Sequence, residues 1–357
     1  MPEINSLPSF LDSEEQLDDI LTRPSPALID FIKTLRGPLL ILGAGGKMGP
    51  TLAVLARRAA DAAGCALDIV AVSRFSDAKA RAWLDARGVR TLNADLLSRD
   101  ALRTLPDAEN ILYLVGLKFG TTQNPSLTWA MNTLVPAHVA ERYPRARIVA
   151  LSSGNVYPLV PLPSDGGRAG EAPYGAREDH PLTPLGEYPN ACIARERIFE
   201  HFARINATPL VLARLSYAVE LRYGVLLDMA LKVHAGEPVD VSMNRLNWIW
   251  QGDANDMIVR MLAHAANPPL ALNLTCPDPI SIRATVTRLA ELMNKPAKFT
   301  GAEANTVMLS NAARACALLG APPTPLDPIL RWIAHWVRRD GRTLGRPTHF
   351  EVRDGKY

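Results

Sequence analysis

A short apolar run, Leu39-Leu40-Ile41-Leu42, ends in Gly43-Ala44-Gly45-Gly46-Lys47-Met48-Gly49 and passes at Thr51 into a stretch with helical apolar spacing. A strand that turns through glycines into a helix presents free backbone N–H groups at the helix N-terminus, where phosphate oxygens bind. The glycines follow GxxGxxG, with Gly43, Gly46 and Gly49; a GxGxxG pattern from Gly43 would need glycine where Met48 stands. The first glycine allows the tight turn, the second lets backbone approach a pyrophosphate, and the third lets helix and strand pack closely. With Gly45, Lys47 and Met48 between them, these residues form a turn suited to a dinucleotide.

The pattern continues downstream. Apolar runs at 67–72, 89–93, 111–115 and 147–151 alternate with helical spacing at 51–63, 78–87, 98–104 and 127–141. Strands that are apolar on both faces and separated by helices predict a parallel sheet covered on both sides. The expected fold class is therefore α/β, a Rossmann-type doubly wound parallel sheet with a smaller C-terminal α/β substrate domain. Ligands on such sheets bind at the carboxyl ends of the strands. A proline- and glycine-rich connection at 158–175 is long enough to belong near that site. A helix at 190–206 and a strand at 209–215 follow. Beyond Tyr217 the alternation loosens into a helix at 226–235, strands at 247–250 and 271–275, and helices at 281–293, 311–319 and 328–338. The expected division is an N-terminal helical extension over 1–36, an NAD(P)-binding domain over 37–216, a mainly substrate-binding domain over 217–340 with part of 158–187, and a tail over 341–357. The extension reads as two short helices, at 14–21 and 27–35, with no chemistry assigned to them.

Composition removes several classes of function. A net charge of +3, with no run of Lys and Arg interleaved with aromatics, argues against nucleic acid as a partner. Cys65, Cys192, Cys276 and Cys316 form no CxxC pair and no Cys/His pair at ligand spacing, so no metal site is expected and the thiols read as reduced. No apolar stretch reaches the roughly 18 residues of a membrane span. Residues 1–37 are acidic early and lack the apolar core of a signal peptide, so a cytoplasmic protein is expected.

Which dinucleotide binds is read at the second strand, which ends in Val72-Ser73-Arg74. An acidic residue there would accept from the 2′-hydroxyl of NAD and repel a 2′-phosphate; a hydroxyl and a guanidinium favour the phosphate. With Lys47 as a second cation, NADP is preferred to NAD, although Arg74 also reads as a solvated strand end. Asp95, at the end of the third strand, suits either the adenine amino group or the capping of a loop.

Taken in order, these residues resemble the extended short-chain dehydrogenase/reductase family, the NAD(P)-dependent sugar epimerases and dehydratases. The resemblance runs from Leu39 to Trp336. It rests on the glycine turn, Asp95-Leu96, Gly116-Leu117-Lys118, Asn132, the segment Leu151-Ser152-Ser153-Gly154-Asn155-Val156-Tyr157, Glu178-Asp179 leading to Tyr188, Glu196, Gly252-Asp253-Ala254 and Ala271-Leu272-Asn273. It implies Tyr188 as acid/base and Ser153 as the hydroxyl that orients the substrate oxygen. It also adds Leu96, Val115, Lys118 and Asn132 to the cofactor contacts. Losing hydride from a carbinol requires its proton to leave, and a nearby tyrosinate can take it. The structural alternatives are a strand-end hydroxyl capping local backbone for Ser153 and a half-buried aromatic for Tyr188. The family's fourth and fifth helices, here 127–141 and 190–206, imply a homodimer.

Two departures matter. The family pattern wants Lys four residues after the tyrosine, one turn along the same helix face, and Cys192 stands there. That lysine lowers the tyrosine pKa and binds the nicotinamide ribose; each pKa unit lost corresponds to about 1.4 kcal/mol against the tyrosinate. Arg195 lies two turns along roughly the same face, and Lys118 follows the fourth strand; Lys118 is the favoured contributor. Second, Leu246 occupies the position of the arginine that holds a nucleotide-sugar diphosphate, with Arg245 adjacent. This favours a smaller substrate.

Three functions follow. The first is an NAD(P)-dependent oxidoreductase or epimerase/dehydratase acting on a small sugar-like or sugar-acid substrate. The second is a catalytically silent NAD(P)-binding sensor or scaffold that has lost the lysine. The third is a nucleotide-sugar epimerase whose diphosphate contact depends on Arg245.

Overall fold

The computed structural model describes residues 7–117, 123–162 and 175–355. Two short helices come first, α1 (Glu14–Leu21) and α2 (Pro26–Ile32), each opened by a serine whose hydroxyl accepts a backbone N–H of the first turn. The strands of the central sheet are β1 (Leu39–Leu42), β2 (Ile69–Ser73), β3 (Arg90–Asn93), β4 (Asn110–Tyr113), β5 (Arg147–Ser153), β6 (Leu210–Leu215) and β7 (Leu270–Leu274). All pair in parallel, in the spatial order β7-β6-β5-β4-β1-β2-β3. The order reverses between β1 and β4, which opens a crevice at their carboxyl ends. The register puts Leu42 level with Val72 and Tyr113, so the glycine turn emerges between the ends of β2 and β4.

Successive residues of β1 point to opposite faces of the sheet. Leu39 and Ile41 pack with Leu52 and Ala56 of α3 (Gly49–Ala62). Leu40 and Leu42 pack on the other side with Tyr113, Val139 and Phe199. Burying each such leucine contributes roughly 1.5–3 kcal/mol. The second face is covered by α6 (Pro125–Arg142) and α7 (Glu187–Asn206), while α4 (Ala78–Asp85) and α5 (Arg99–Arg103) join β2, β3 and β4.

Helix α7 begins three residues before the expected 190. Gly186, at φ 94°, turns the chain into it, and Pro189 sits within the first turn, where its missing N–H has no helical acceptor to lose. Tyr188 is therefore helical. The larger differences lie beyond Tyr217. Helix α8 (Val225–Ala235) is as expected, but Gln251–Arg260 also forms a helix, α9. Its polarity hid it: Gln251 and Asn255 donate to Thr51 Oγ1, Asp253 accepts twice from Thr324, and Asp256 accepts from Ser25 N–H. Helix α9 packs on α3, and β7 is an edge strand of the central sheet, so residues 251–274 belong with the first unit rather than with the second.

The smaller unit is built on α8, α10 (Ile282–Met293) and α12 (Leu326–Arg338), with α11 (Ala313–Leu319) against β7. The apolar stripe of α12 is core: Trp332 and Ile333 are inaccessible to solvent, and Trp332 meets Trp250 edge-on at 5.6 Å. Leu11, Leu17 and Leu21 of the N-terminal extension join this core, and Leu28 and Ile32 join that of the larger unit. Among the described residues, no helix is long and apolar enough to cross a membrane, and no group of His, Cys, Asp and Glu is placed to hold a metal ion.

Candidate functional site

A cleft of about 1440 Å³ lies at the carboxyl ends of the strands and is lined by the glycine turn, Gly116, Ser153, Tyr188, Arg195 and Tyr217. The turn is shaped by close approach. A Cβ on Gly43 (φ 87°) would lie 2.9 Å from Val115 N, and one on Gly49 would lie 2.5 Å from the Ala44 backbone. One on Gly45 would meet Ser73 Oγ at 2.5 Å, whereas Gly46 has nothing nearer than Gly43 O at 3.4 Å. Strand and helix are thus pressed together behind the turn, while Gly46 leaves its outer side open. This is the cradle a pyrophosphate fits, at the N-terminal end of α3.

The other expected cofactor residues are dispersed. Lys47 lines the cleft, but its ammonium donates to Ala218 O at 2.7 Å and lies 4.7 Å from the centre of the Tyr223 ring, spanning to the second unit. Met48 lines the cleft, and Ser73 backs the turn. Arg74 is exposed and, like Asp95, is not among the described residues that line the cleft. The Asp95 carboxylate accepts from Leu97 N–H, the local capping arrangement. Leu96 and Val115 are buried in the sheet core. The cleft wall beside β2 is instead made by Asp77, Lys79 and Trp83. Lys118, with much of the loop around 163–174, lies outside the described residues.

Ser153 ends β5 and accepts from Asn155 N–H at 3.2 Å. The Tyr188 hydroxyl lies beside Ser153 and Cys192. Burial raises the Tyr188 pKa and Cys192 adds to the rise, while the nearby Arg195 charge opposes it. Arg195 is itself buried behind the pair. Its Nη2 lies 3.4 Å from Cys192 Sγ, its Nε donates to Asn132 Oδ1 at 3.1 Å, and its Nη1 donates to Leu151 O. Asn132, expected as a cofactor contact, spends its amide on Thr128 O and its oxygen on Arg195.

Several residues that carried the resemblance form one buried network instead. Arg214 Nη2 binds Glu196 Oε2 at 2.8 Å, and its Nη1 donates to the Tyr157 hydroxyl and to Glu178 O. Tyr157 donates to Asn273 Oδ1, and Ser152 to Glu196. Burial pushes Tyr157 up to about 12, which keeps it protonated. These groups brace the wall that carries Ser153.

Sequence reasoning missed the part played by the two chain ends. Glu14 and Asp18 of α1, and Arg342 and residues 344–349 of the tail, line the same cleft. Arg342 grips Glu14 through Nε and Nη2, both at 2.8 Å, and Arg222 reaches Glu14, Asp18 and Glu220, each at 3.1 Å. Thr348 donates to Asp228 in the first turn of α8. The signal was present as charge complementarity, acidic at 12–19 and basic at 338–346. Leu246 is buried, and neither it nor Arg245 is among the described residues lining the cleft.

The sequence model of the NAD dependent epimerase/dehydratase family matches residues 39–274. No curated protein matches the chain. Among solved structures, a UDP-glucuronic acid 4-epimerase from Bacillus cereus in complex with NAD is 16% identical, with a TM-score of 0.69 over 85% of this chain and 99% of that one. MoeE5 in complex with UDP-glucuronic acid and NAD is 21% identical, with a TM-score of 0.65 over 85% of this chain and 100% of its own. A UDP-glucose 4-epimerase from Thermus thermophilus in complex with NAD is 17% identical, with a TM-score of 0.64 over 84% and 99%. At these identities the likeness is one of fold.

Proposed function

The chain belongs to the NAD dependent epimerase/dehydratase family, and on that premise we propose that it oxidises or epimerises a carbinol carbon of a small sugar-like or sugar-acid substrate. The observation that carries the reading is the placement of Ser153 beside Tyr188 in the same cleft as the glycine cradle. A bound nicotinamide dinucleotide supplies the hydride acceptor. The backbone N–H groups of the turn and of the α3 N-terminus hold its phosphates. Ser153 Oγ orients the substrate oxygen, and Tyr188 Oη takes the proton that leaves it.

NADP is the preferred dinucleotide in this proposal, because neither residue at the end of β2, Ser73 or Arg74, repels a 2′-phosphate. Equilibrium binding of both cofactors tests it: NADP binds more tightly. Small substrates are favoured because Leu246 is buried and Arg245 is not among the described residues lining the cleft. The solved relatives named above are bound to UDP-sugars or named for them, so UDP is the control ligand. A cleft built for a nucleotide sugar is stabilised against heat by UDP; this one is not. Cys192 favours a second reading, a silent dinucleotide sensor. Turnover by the NADP-loaded protein over a panel of sugars and sugar acids separates the two, since a sensor binds the cofactor and reduces none of it. Exposed Leu127, Trp129 and Leu134 on α6 support a homodimer, which the molecular mass in solution tests.

A further inference from the structure

We propose that Arg195 is the positioning cation of this site: its guanidinium, fixed behind Tyr188 and Cys192, supplies the positive field in which Tyr188 gives up its proton. The inference rests on Tyr188 being the base, as argued above.

Three observations carry it. The first is the set of groups that Arg195 meets. Its hydrogen-bond partners are an amide oxygen, a backbone carbonyl and a thiol, and among the described residues no carboxylate is paired with it. Glu196, the next residue, is committed to Arg214 and Ser152. Apart from Glu196, which also acts on Arg195 but is engaged by Arg214, the groups beside Arg195 that can become anions are Cys192 and Tyr188 on its own helix and Tyr113 on β4. The packed elements β5 and α6 present Leu151 O, Ser153 and Asn132 to this cluster, all uncharged. Of the three candidates, Tyr188 alone is among the described residues lining the cleft, where a substrate proton arrives.

The second observation is space. A Cβ on Gly116 would lie 2.9 Å from Arg195 Nη2, so the guanidinium holds its place only because residue 116 has no side chain. The third is that the Tyr113 hydroxyl is buried with no hydrogen-bond partner among the described residues, and burial raises its pKa. The cation is not drawn off by that tyrosine. Its field is left for Tyr188, two helical turns before it on α7.

The test is a spectroscopic titration of tyrosinate in dinucleotide-loaded protein, taken as wild type minus Tyr188→Phe. It is repeated in Arg195→Gln, which keeps amide donors but no charge, and in Arg195→Lys. The Tyr188 midpoint rises by about one pH unit or more in Arg195→Gln and stays near wild type in Arg195→Lys. The rate at neutral pH falls about tenfold for each unit gained and recovers in alkali. Dinucleotide affinity changes little. The double variant Arg195→Gln with Cys192→Lys returns the midpoint towards wild type. Where Arg195→Gln does not fold, Gly116→Ala, which displaces the guanidinium without removing it, is expected to raise the midpoint in the same direction. Coincident midpoints in wild type and Arg195→Gln, or an Arg195→Lys that behaves like Arg195→Gln, would overturn the proposal. A normal midpoint shift in a protein that turns over no substrate instead removes the enzymatic reading and leaves the electrostatic one standing.

Discussion

Arg195 and Arg214 are buried to nearly the same degree, 5% and 3% exposed, on neighbouring elements behind the same cleft wall. Arg214 is neutralised inside the protein by Glu196 at 2.8 Å, with Tyr157 and a backbone carbonyl completing its contacts. Among the described residues, Arg195 hydrogen-bonds only to neutral acceptors and a thiol. The difference separates scaffold from site. A buried charge closed by its own counter-ion has no field left over and fixes geometry; a buried charge without one acts on whatever ionises beside it.

Breaking each arginine's environment should therefore give different kinds of damage. The largest effect is expected for Glu196→Gln, which strands Arg214: stability falls by about 3–5 kcal/mol, read from the denaturant midpoint. An equally large loss on Arg195→Gln would erase the contrast, since that variant removes a charge that had no carboxylate and is expected to cost only about 1–2 kcal/mol.

Asp253 gives the converse case, a buried carboxylate with no cation paired to it among the described residues. Burial raises it to about 6, against the hydrogen bonds it accepts from Thr324. Between about 4 and 6 the folded state keeps a proton that the unfolded state has lost, so stability falls as pH rises through that window and the penalty persists above it. Asp253→Asn should then stabilise the protein at pH 8 by on the order of 2 kcal/mol and flatten the profile below pH 6. Thermal midpoints across that range show whether it does. The smallest effect is expected at the clasp of the chain ends. Arg342→Ala removes a half-exposed pair with Glu14, so it should cost at most about 1 kcal/mol, and less in high salt.

The part of the fold nearest the glycine turn was legible because its strands are apolar on both faces and its helices carry a simple apolar spacing. β1 to β6 and α3 to α7 all fall within a few residues of their expected bounds. Helix α9 was illegible for the opposite reason: Gln251, Asp253, Asn255 and Asp256 make tertiary hydrogen bonds, which no local pattern reveals. The same loss of local signal put β7 in the wrong unit. In the site, the helical phase of Tyr188, Cys192 and Arg195 could be counted, but not the depth of Arg195. That depth depends on Gly116 and Asn132, which are distant in sequence. The cleft walls from α1 and the tail were invisible because ion pairs such as Arg342–Glu14 join residues at opposite ends of the chain.

The most direct test of the account is reduction of bound dinucleotide in wild type and Tyr188→Phe, followed by near-ultraviolet absorbance at equal cofactor occupancy over the sugar and sugar-acid panel. The account predicts a substrate-dependent rise in wild type that is at least about 100-fold slower in Tyr188→Phe, with cofactor affinity unchanged. Equal rates in the two proteins would contradict it.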